Sequence, residues 1–471
     1  MRKTKIICTI GPACDNETTL TEMCKAGMNV ARINFSHGSH EEHQIKFDLI
    51  KAVRERLNLP IAIMLDTKGP EYRIKTFKNH KIQLEDGGTF VFTVNDVEGD
   101  ETKVAVNYKD LIKELNVGDT ILVNNGLLVF KVKELTETDA ICDIVAGGEL
   151  SERKSMNFPN HVMKSEYLNQ QDKEDLLFGI KNDIDFVAAS FVSQKSDILA
   201  LRRFLNENGG KEIDIIAKIE NRAGVDNIEE ICEIADGIMV ARGDLGVEIP
   251  FVEVPAIQKY LIKKCRMLGK RVITATEMLE SMIHNPRPTR AEISDVANAV
   301  YDGTSAIMLS GETAAGKYPV DSVRNMAEIA YQTEKNIDYT KRFKQSNYEI
   351  QSNIDAVSHS TCSMAIDTNA KGIVISSLSG ITVRMVSRFR CPVDIVGMTT
   401  SEKAWRKLNL SWGVTPVLSE EFNSVDVMFY HALHRAMEVF QLDKGDNVVL
   451  TGGQINGVSG NTNTIRLETV K

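Results

Sequence analysis

The chain has 471 residues, a length that predicts about two to four domains rather than one small core. Apolar residues make up 42% and charged residues 26%, as in ordinary globular proteins, and the formal net charge of -9 argues against a general nucleic-acid binder. No apolar run approaches the roughly 20 residues that a membrane span needs. Eight cysteines without a C-x-x-C pair favour reduced thiols in a cytoplasmic protein over a zinc site.

Short apolar runs recur through the first 340 residues, and amphipathic segments of helical period separate most of them. This alternation predicts a parallel sheet, and a closed (β/α)8 TIM barrel fits the number of runs. An open, doubly wound sheet is the alternative. The predicted strands are 5–11, 29–34, 61–67, 185–191, 213–220, 237–243, 271–278 and 306–312, and the clearest helices are 39–57, 195–208, 253–268 and 319–334.

Residues 70–168 interrupt the alternation with short strands that Gly, Asp and Asn separate. We expect an inserted all-β domain at the catalytic end of the barrel, either a lid that closes over substrate or a passive insertion. A polar stretch after residue 340 indicates a linker, and a further set of strands and helices predicts a C-terminal α/β domain. The expected boundaries are 1–69 and 169–340 for the barrel, 70–168 for the inserted β-barrel lid domain and 341–471 for the C-terminal domain.

In α/β barrels function collects at the carboxyl ends of the strands. The second predicted strand ends with Arg32, Asn34 and Ser36, which period-two alternation places on one face. A cation followed by two neutral oxygen donors could hold a phosphate and a monovalent metal. The third strand ends with Asp66 and Thr67, which add hard oxygen ligands. Taken singly, each of these residues is more often a cap or a surface residue.

The fifth strand places Lys218 and Glu220 on one face, and the sixth ends at Gly243 and Asp244. Neighbouring strands would bring the two carboxylates together, and two carboxylates with substrate oxygens and water commonly hold Mg²⁺. Gly243 also lets backbone N–H groups approach an anion at a helix start. A structural ion pair between Lys218 and Glu220 is the alternative, but an idle buried pair is costly. We therefore predict a magnesium site at Glu220 and Asp244.

Hydroxyl groups follow the last two strands. Alternation places Thr274 with Thr276, and Ser310 with Glu312. Threonine in a strand is usually only a strand former. The barrel context alone makes Thr276 and Ser310 candidates for the site.

Longer motifs follow one another along the chain: KIICTIGPA, MNVARINFSHG, MLDTKGPEYR, IAKIEN, MVARGDLGVE, ITATEMLESM, NPRPTRAE and IMLSGETAAGKYP. Together they resemble the pyruvate kinase family, and the resemblance continues into the C-terminal domain. It implies transfer of a phosphoryl group from phosphoenolpyruvate to ADP, giving pyruvate and ATP, with Mg²⁺ and K⁺ as cofactors. It also implies a homotetramer, and no membrane or nucleic-acid partner.

By this resemblance Glu220 and Asp244 bind the Mg²⁺, and Lys218 stabilises the charge of the phosphoryl group in flight. Arg32 would bind the phosphate of phosphoenolpyruvate. The backbone of Gly243 and Asp244 would hold the substrate carboxylate, together with a hydroxyl from the seventh strand.

That hydroxyl is Thr276, and proton delivery to the enolate carbon would run through water near Thr276 and Ser310. Arg73 and Lys154 are implied as contacts to the nucleotide phosphates.

The same resemblance implies a potassium site. Glu71 matches family members that need potassium, whereas members with Lys there are potassium-independent. The implied ligands of the K⁺ are Asn34, Ser36, Asp66 and Thr67.

Two positions depart from the family pattern. The lid motif V-D-D-G is here Val123-Asn124-Asn125-Gly126, which removes two carboxylates from the expected contacts with a nucleotide-bound metal. Glu277 follows Thr276 where Gln is common, which adds a negative charge near the site.

In the C-terminal domain, Ser377, Ser379, Gly380 and Thr382 lie between a predicted strand and helix, where hydroxyls and a glycine suit a phosphate. The family uses this loop for a sugar-phosphate activator, and a nucleotide effector is also open. An ordinary helix cap is the alternative. The later loop 452–457 lacks the basic residue that many relatives have.

Two other functions remain open from the sequence. A metal-dependent aldolase or lyase acting on pyruvate-like compounds would share Glu220 and Asp244, but it would need neither Lys218 nor a nucleotide lid. A non-catalytic sugar-phosphate sensor is supported only by the departures at positions 124, 125 and 277.

Overall fold

The computed structural model describes residues 1–159, 161, 166–453 and 462–471. The first elements form the beginning of a barrel, and each strand is a short, buried or nearly buried run. They are β1 (Lys5–Thr9), α1 (Glu17–Ala26), β2 (Val30–Asn34), α2 (His40–Leu57) and β3 (Ala62–Asp66).

The chain then enters the inserted segment, which the structure builds almost entirely from strands. Its elements are β4 (Tyr72–Arg73), β5 (Lys81–Leu84), β6 (Thr89–Thr93), β7 (Lys103–Ala105), α3 (Leu111–Glu114), β8 (Thr120–Val123), β9 (Leu128–Leu135), β10 (Asp139–Ala146), β11 (Gly148–Ser151) and β12 (Ser155–Asn157). Seven of these strands form one sheet in the order β4-β12-β8-β9-β10-β6-β7, and β11 pairs with β5. Phe90, Phe92 and Phe130 pack together in its core.

The all-β insertion is therefore confirmed. The sequence pattern missed α3 and the strands β4, β11 and β12, which have only two to four residues each.

The barrel resumes after the insertion. The elements are α4 (Gln170–Lys181), β13 (Phe186–Ala189), α5 (Lys195–Glu207), β14 (Asp214–Ile219), α6 (Arg222–Asp226), α7 (Ile228–Ile234), β15 (Gly237–Ala241), α8 (Arg242–Glu248), α9 (Val254–Met267), β16 (Arg271–Ala275), α10 (Arg290–Asp302), β17 (Ala306–Leu309), α11 (Gly311–Ala314) and α12 (Pro319–Lys335). Short 3₁₀ turns lie at Phe251–Glu253 and Glu280–Ile283.

Eight parallel strands close on themselves in the order β1-β17-β16-β15-β14-β13-β3-β2. This confirms the TIM barrel and excludes the open sheet. Alternate residues of each strand serve two cores: Ile7, Met64 and Ile216 fill the barrel interior, while Ile6 and Leu65 pack against the outer helices. Because both faces are covered, the strands are buried and mostly apolar, which is why the sequence revealed them.

The C-terminal segment forms a separate sheet with helices. Its elements are α13 (Tyr339–Gln345), α14 (Asn353–Asp367), β18 (Gly372–Ser376), α15 (Ile381–Ser387), β19 (Asp394–Thr399), α16 (Glu402–Leu408), β20 (Val414–Leu418), α17 (Val425–Phe440), β21 (Asn447–Gly453) and β22 (Thr462–Thr469). The strand order is β20-β19-β18-β21-β22, and β22 alone among these five described strands is antiparallel to its neighbour. The expected C-terminal α/β fold is confirmed.

Two local expectations need correction or addition here. The polar stretch predicted as a linker begins within helix α13, because Phe343 is buried and anchors that turn of helix in the C-terminal core. Strand β22 was not predicted. Residues 454–457 of the loop that lacks a basic residue lie outside the described residues.

Across the described ranges, no helix combines the length and apolarity that a membrane crossing requires.

The base of the barrel is joined to the C-terminal segment by buried contacts. Leu410, which follows α16, is fully buried and belongs to the cluster that fills the barrel interior. Nearby, Asp214 at the start of β14 lies 2.6 Å from an Arg271 guanidinium nitrogen and 2.8 Å from Lys407 Nζ. Burial alone would raise the pKa of Asp214, but Arg271, Arg384 and Lys407 outweigh it and hold that pKa below its usual range.

Shortening Leu410 tests this junction. We expect Leu410→Ala to destabilise the protein by about 2–5 kcal/mol, because a buried leucine is lost and a cavity remains. The measurement is urea unfolding followed by circular dichroism, with Leu199→Ala on α5 as the control because Leu199 is 41% exposed. Equal unfolding midpoints for the two variants would contradict the insertion of Leu410 into the barrel.

Candidate active site

A buried ammonium group lies at the carboxyl ends of the strands. Lys218 Nζ, from β14, lies 2.9 Å from Glu220 Oε1 and 3.2 Å from Asp66 Oδ1, and it donates a hydrogen bond of 2.7 Å to Ser190 Oγ. Burial opposes the charge on Lys218, but the Asp66 and Glu220 carboxylates outweigh it and raise its pKa. The ammonium is therefore a fixed positive charge at neutral pH.

Asp66 is shared between two cations. Its Oδ2 accepts a hydrogen bond of 2.6 Å from Arg32 Nε, and Arg32 Nη1 donates to Thr9 Oγ1 at 2.8 Å. Burial opposes the ionisation of Asp66, yet Arg32 and Lys218 outweigh it and hold the pKa of the carboxyl below its usual value. The structure thus brings Arg32, Asp66 and Lys218 together from three strands.

Glu220 follows β14 and is fully buried. Its Oε2 accepts the backbone N–H of Phe191 at 2.6 Å, whereas its Oε1 contacts Lys218 without a hydrogen bond. Burial raises the pKa of Glu220; the Lys218 ammonium opposes that shift and the nearby Asp244 carboxylate adds to it. A buried carboxylate with an oxygen lacking a hydrogen bond is well suited to a cation ligand.

Asp244 lies in the first turn of α8 and is exposed to a cavity of about 700 Å³ between the barrel and the inserted sheet. Arg73, Asn125 and Lys154 line this cavity from the insertion, and Glu248 lines it from the barrel. The volume suits a ligand of nucleotide size.

The turn after β16 differs from the expected alternation. The strand ends at Ala275, and Thr276 has a φ of 69°, which rotates its side chain away from the pattern of Thr274. Thr274 Oγ1 instead donates to Thr304 Oγ1 at 3.0 Å in the outer core, while Thr276 Oγ1 accepts the Gly243 N–H at 2.8 Å. Thr274 and Thr276 therefore do not share a face.

Ser310 and Glu312 also depart from a strand. Strand β17 ends at Leu309, and Glu312 lies in the short helix α11. The Glu312 carboxylate accepts the backbone N–H groups of Ser310 at 2.7 Å and Leu279 at 3.0 Å. Glu312 thus supports the turn, and Ser310 precedes the helix.

Arg242 is a residue that the sequence reasoning missed. Its Nη1 lies 2.8 and 2.7 Å from the two carboxylate oxygens of Asp295, and its Nη2 donates to the carbonyl of Thr276 at 2.6 Å. Arg242 therefore anchors the left-handed turn at Thr276 and Glu277. The side chain of Glu277 lines a separate cavity of about 600 Å³ beside α8.

Among the residues expected at a potassium site, Asn34 and Asp66 are paired in register on β2 and β3. Asn34 Oδ1 accepts the Ser36 N–H at 3.1 Å, and Thr67 Oγ1 accepts the Ser190 N–H at 3.1 Å. The four oxygen-bearing residues are thus clustered at adjacent strand ends.

Glu71 and Arg73 form an ion pair, and Lys68 Nζ lies 3.4 Å from Glu71. Arg73 Nη1 also donates to the carbonyl of Arg153 at 2.7 Å. In the lid turn, Asn124 and Asn125 both have φ values of 56°, a left-handed conformation that asparagine tolerates well.

Two further residues connect the insertion to the barrel. Asn157 Nδ2, on β12, donates to Glu248 Oε1 on α8 at 2.8 Å. Ser190 was missed as well, although it follows the fourth barrel strand and the strand-end rule would have found it. The same rule would have found Arg242, which directly follows β15, whereas no such positional rule identifies Asn157.

Comparisons with known proteins agree with this geometry. The family model described as the pyruvate kinase barrel domain matches residues 1–323, and the one described as the pyruvate kinase alpha/beta domain matches residues 355–468. The chain belongs to the pyruvate kinase family. These matches confirm the expectation of a phosphotransferase with pyruvate kinase function.

Curated relatives and a solved structure extend the match. The chain is 47% identical over 473 residues to a pyruvate kinase of Clostridium acetobutylicum, with all of both chains covered. It is also 47% identical to one of Staphylococcus epidermidis, covering all of this chain and 81% of that one. A crystal structure of a pyruvate kinase from Cryptosporidium parvum matches with a TM-score of 0.94 at 37% identity, covering 100% of this chain and 96% of that chain. This evidence favours the kinase over the aldolase or lyase.

Replacing Arg242 tests its role as an anchor. We expect Arg242→Lys to lower kcat/KM for pyruvate formation by about 10- to 100-fold, because lysine cannot bind Asp295 with two nitrogens and the Thr276 turn would shift. The control is Arg203→Lys on α5, where the side chain is exposed. Unchanged kcat/KM in Arg242→Lys would show that the turn holds without the guanidinium.

Proposed function

We propose that the chain transfers the phosphoryl group of phosphoenolpyruvate to ADP, giving pyruvate and ATP, at the strand ends around Lys218. The observation that carries this proposal is the Lys218 ammonium, buried between the Asp66 and Glu220 carboxylates. The same strand ends open on the cavity that Asp244 and Asn221 share with Lys154 of the insertion. A fixed cation beside a nucleotide-sized cavity suits phosphoryl transfer.

We further propose that Glu220 and Asp244 hold a Mg²⁺. The fit is supported by Glu220, a fully buried carboxylate whose Oε1 lies 2.9 Å from the Lys218 ammonium, and by the exposure of Asp244 to the cavity. Within the described ranges, no group of three or more His, Cys, Asp or Glu side chains could hold a metal, so substrate oxygens and water would complete the shell. When bound, the ion supplies positive charge to the phosphate oxygens.

The chain's own residues would do the rest of the work. Lys218 holds its proton and offers N–H donors to the transferring phosphoryl group. Arg32, anchored by Asp66, orients the substrate phosphate with its guanidinium. Gly243 N–H, which donates to Thr276 Oγ1, and the Thr276 hydroxyl would both turn to the substrate carboxylate. Water near Thr276 and Ser310 would deliver the proton.

A K⁺ site is proposed beside this centre. Asn34 and Asp66 are paired in register, and the Ser36 and Thr67 side chains lie at the same two strand ends. Neutral and anionic oxygens together suit a weakly charged cation. Glu71 stands near Lys68 and Arg73, so its carboxylate is already balanced by protein cations.

The nucleotide phosphates are proposed to contact Arg73 and Lys154, which line the large cavity. The inserted segment 70–168 would act as the lid, with 1–69 and 169–340 as the catalytic domain. The cytoplasm and a homotetramer remain proposals that rest on the family.

A phosphorylated effector, sugar phosphate or nucleotide, is proposed at the loop before α15 in a C-terminal regulatory domain, 341–471. Gly380 has a φ of 74° at the N-cap of α15, a left-handed conformation that glycine adopts without strain, and Leu408 packs against it. Thr382 is buried and its hydroxyl is 2.6 Å from Thr462 Oγ1, so Thr382 supports the loop more than it offers a free donor. Ser377 and Ser379, which precede the helix, are the other side-chain candidates.

Lys218→Met tests the phosphoryl-transfer proposal. We expect kcat to fall by about 1000-fold or more with phosphoenolpyruvate, ADP, Mg²⁺ and K⁺, because the variant lacks the preorganised positive charge that stabilises the transferring phosphoryl group. Pyruvate formation is the measurement, circular dichroism checks the fold, and Lys263→Met on the exposed face of α9 is the control.

A loss of less than tenfold in a folded Lys218→Met protein would remove Lys218 from the mechanism. If the unmodified chain formed no pyruvate, the result would instead favour the aldolase or lyase.

Monovalent cations test the potassium proposal. We expect K⁺ to raise kcat by about tenfold over Na⁺, both as chloride salts of equal concentration, because the larger ion is matched to this set of oxygens. Glu71→Lys should narrow the difference between kcat in K⁺ and kcat in Na⁺, since the lysine ammonium would supply the positive charge that K⁺ otherwise provides. The control is Glu22→Lys on α1, far from the strand ends. Equal rates in K⁺ and Na⁺ would contradict the site.

A further inference from the structure

A third, much smaller cavity lies where the base of the barrel meets helix α15. Its volume is about 10 Å³, which holds a single water-sized particle. Five of the side chains that line it are cations, namely Lys270, Arg271, Arg384, Arg388 and Arg390. Among the described residues around it, none of the lining side chains is acidic. This cluster lies at the opposite end of the barrel from the candidate active site and has no part in the proposed transfer.

Neutral groups satisfy much of this positive charge. Arg390 donates to the carbonyls of Gly303 at 3.0 Å and Ser387 at 2.9 Å, and to Ser305 Oγ at 2.9 Å. Lys270 donates to the carbonyl of Ala235 at 2.8 Å. Carbonyl oxygens accept hydrogen bonds but do not cancel a full charge.

The cations disfavour one another. Burial lowers the pKa of Arg390 to about 9, and the neighbouring Arg266 guanidinium contributes to that shift. Burial also lowers the pKa of Arg271, and Arg384 adds to the shift while Asp214 opposes it. A negative charge in the cavity would relieve this repulsion.

Three carboxylates flank the cluster from outside the cavity. Asp214 lies 2.6 Å from Arg271 and 3.6 Å from Arg384, and Asp236 also lies 3.6 Å from Arg384. Asp355 Oδ1 lies 3.1 Å from Arg388 Nη2 without a hydrogen bond. Since Asp214 also pairs with Lys407, these carboxylates leave a surplus of positive charge.

Buried donors without a partner belong to residues that line the same space. Arg271 Nε, Arg388 Nε and Ser411 Oγ are buried and have no hydrogen-bond partner, although each belongs to a residue that lines the cavity. These residues are 5%, 6% and 2% exposed. A buried donor without an acceptor is costly, so three of them around one cavity imply a particle that accepts hydrogen bonds.

We propose that this cavity binds a monatomic inorganic anion, chloride under ordinary conditions, through Arg271, Arg388 and Ser411. A halide accepts hydrogen bonds from several directions, and because it donates none, it needs no acceptor in the lining. Water must also donate two protons, and the lining offers mostly donors. The bound anion would join β16 of the barrel to the segment after α15, and so stabilise the contact between barrel and C-terminal sheet.

Thermal unfolding of the full chain tests this proposal. The melting temperature is measured in sodium chloride and sodium bromide against sodium gluconate at equal ionic strength. We expect the unmodified chain to be stabilised in a saturable way by both halides. Ser411→Ala, which removes one donor, should weaken the apparent halide affinity by about tenfold. Arg435→Gln is the control, because Arg435 pairs with Glu438 on the surface of α17 and should leave the affinity unchanged.

Arg388→Lys is the second variant, which keeps the charge but removes Nε, and it answers the question if Ser411→Ala does not fold. A crystal grown in bromide should show an anomalous peak within hydrogen-bond distance of Ser411 Oγ. Halide stabilisation that is equal in the unmodified chain and both variants would overturn the proposal. The absence of any stabilisation by halide over gluconate would also overturn it. A bromide peak in the crystal without any halide effect on the melting temperature would indicate an adventitious ion only, and would overturn the proposal as well. Sulfate stabilisation that exceeds that of chloride and is lost in Ser411→Ala would overturn the halide assignment.

Discussion

The buried ammonium of Lys218 between two carboxylates is the interaction on which the arrangement of the strand ends depends. Asp66 and Glu220 are almost inaccessible to water, and removing the shared cation would leave two uncompensated negative charges. Because Asp66 also binds Arg32, the network joins β2, β3 and β14 at one height of the barrel. An ion cluster of this kind is a poor means of gaining stability, since desolvation offsets much of its attraction. Its presence here is better explained by the need for fixed charges beside a substrate.

Strand β14 connects this cluster to the opposite end of the barrel. Lys218 lies near its carboxyl end, and Asp214 at its beginning is held by Arg271 and Lys407. The barrel thus separates two tasks along the same strands: contacts at the base attach the C-terminal segment, and side chains at the top face the large cavity. The basic cavity lies at the base, among contacts whose task is attachment.

The barrel strands and the paired charges could be predicted because their signals are local. A strand buried on both faces is a continuous apolar run, and a charged residue at the end of such a run is conspicuous, as with Lys218 and Glu220. The short strands β4 and β12 gave no such signal, because they exist only through pairing with each other and, for β12, with β8. Strand β22 alternates too weakly, since several of its residues are exposed on an edge.

Errors in the candidate site came from extending a strand beyond its last residue. Thr276 was placed by period-two alternation, but its positive φ turns the chain at a carbonyl that accepts a hydrogen bond from Arg242. Ser310 and Glu312 were treated as strand residues, although a helix begins after Ser310. Long-range contacts such as Asn157 with Glu248 leave no mark on the local sequence.

The lid turn has a chemical consequence of its own. Asn125 is exposed and precedes Gly126, and an asparagine before glycine is the dipeptide most easily deamidated, because the small neighbour lets its backbone nitrogen attack the side-chain amide. Ammonia leaves as the cyclic imide forms, and water then opens the imide to aspartate or isoaspartate, each of which has a carboxylate at position 125. The family pattern has a carboxylate at that place. A protein molecule that ages in solution would therefore gain a negative charge in this turn spontaneously, at a position where the family pattern is acidic.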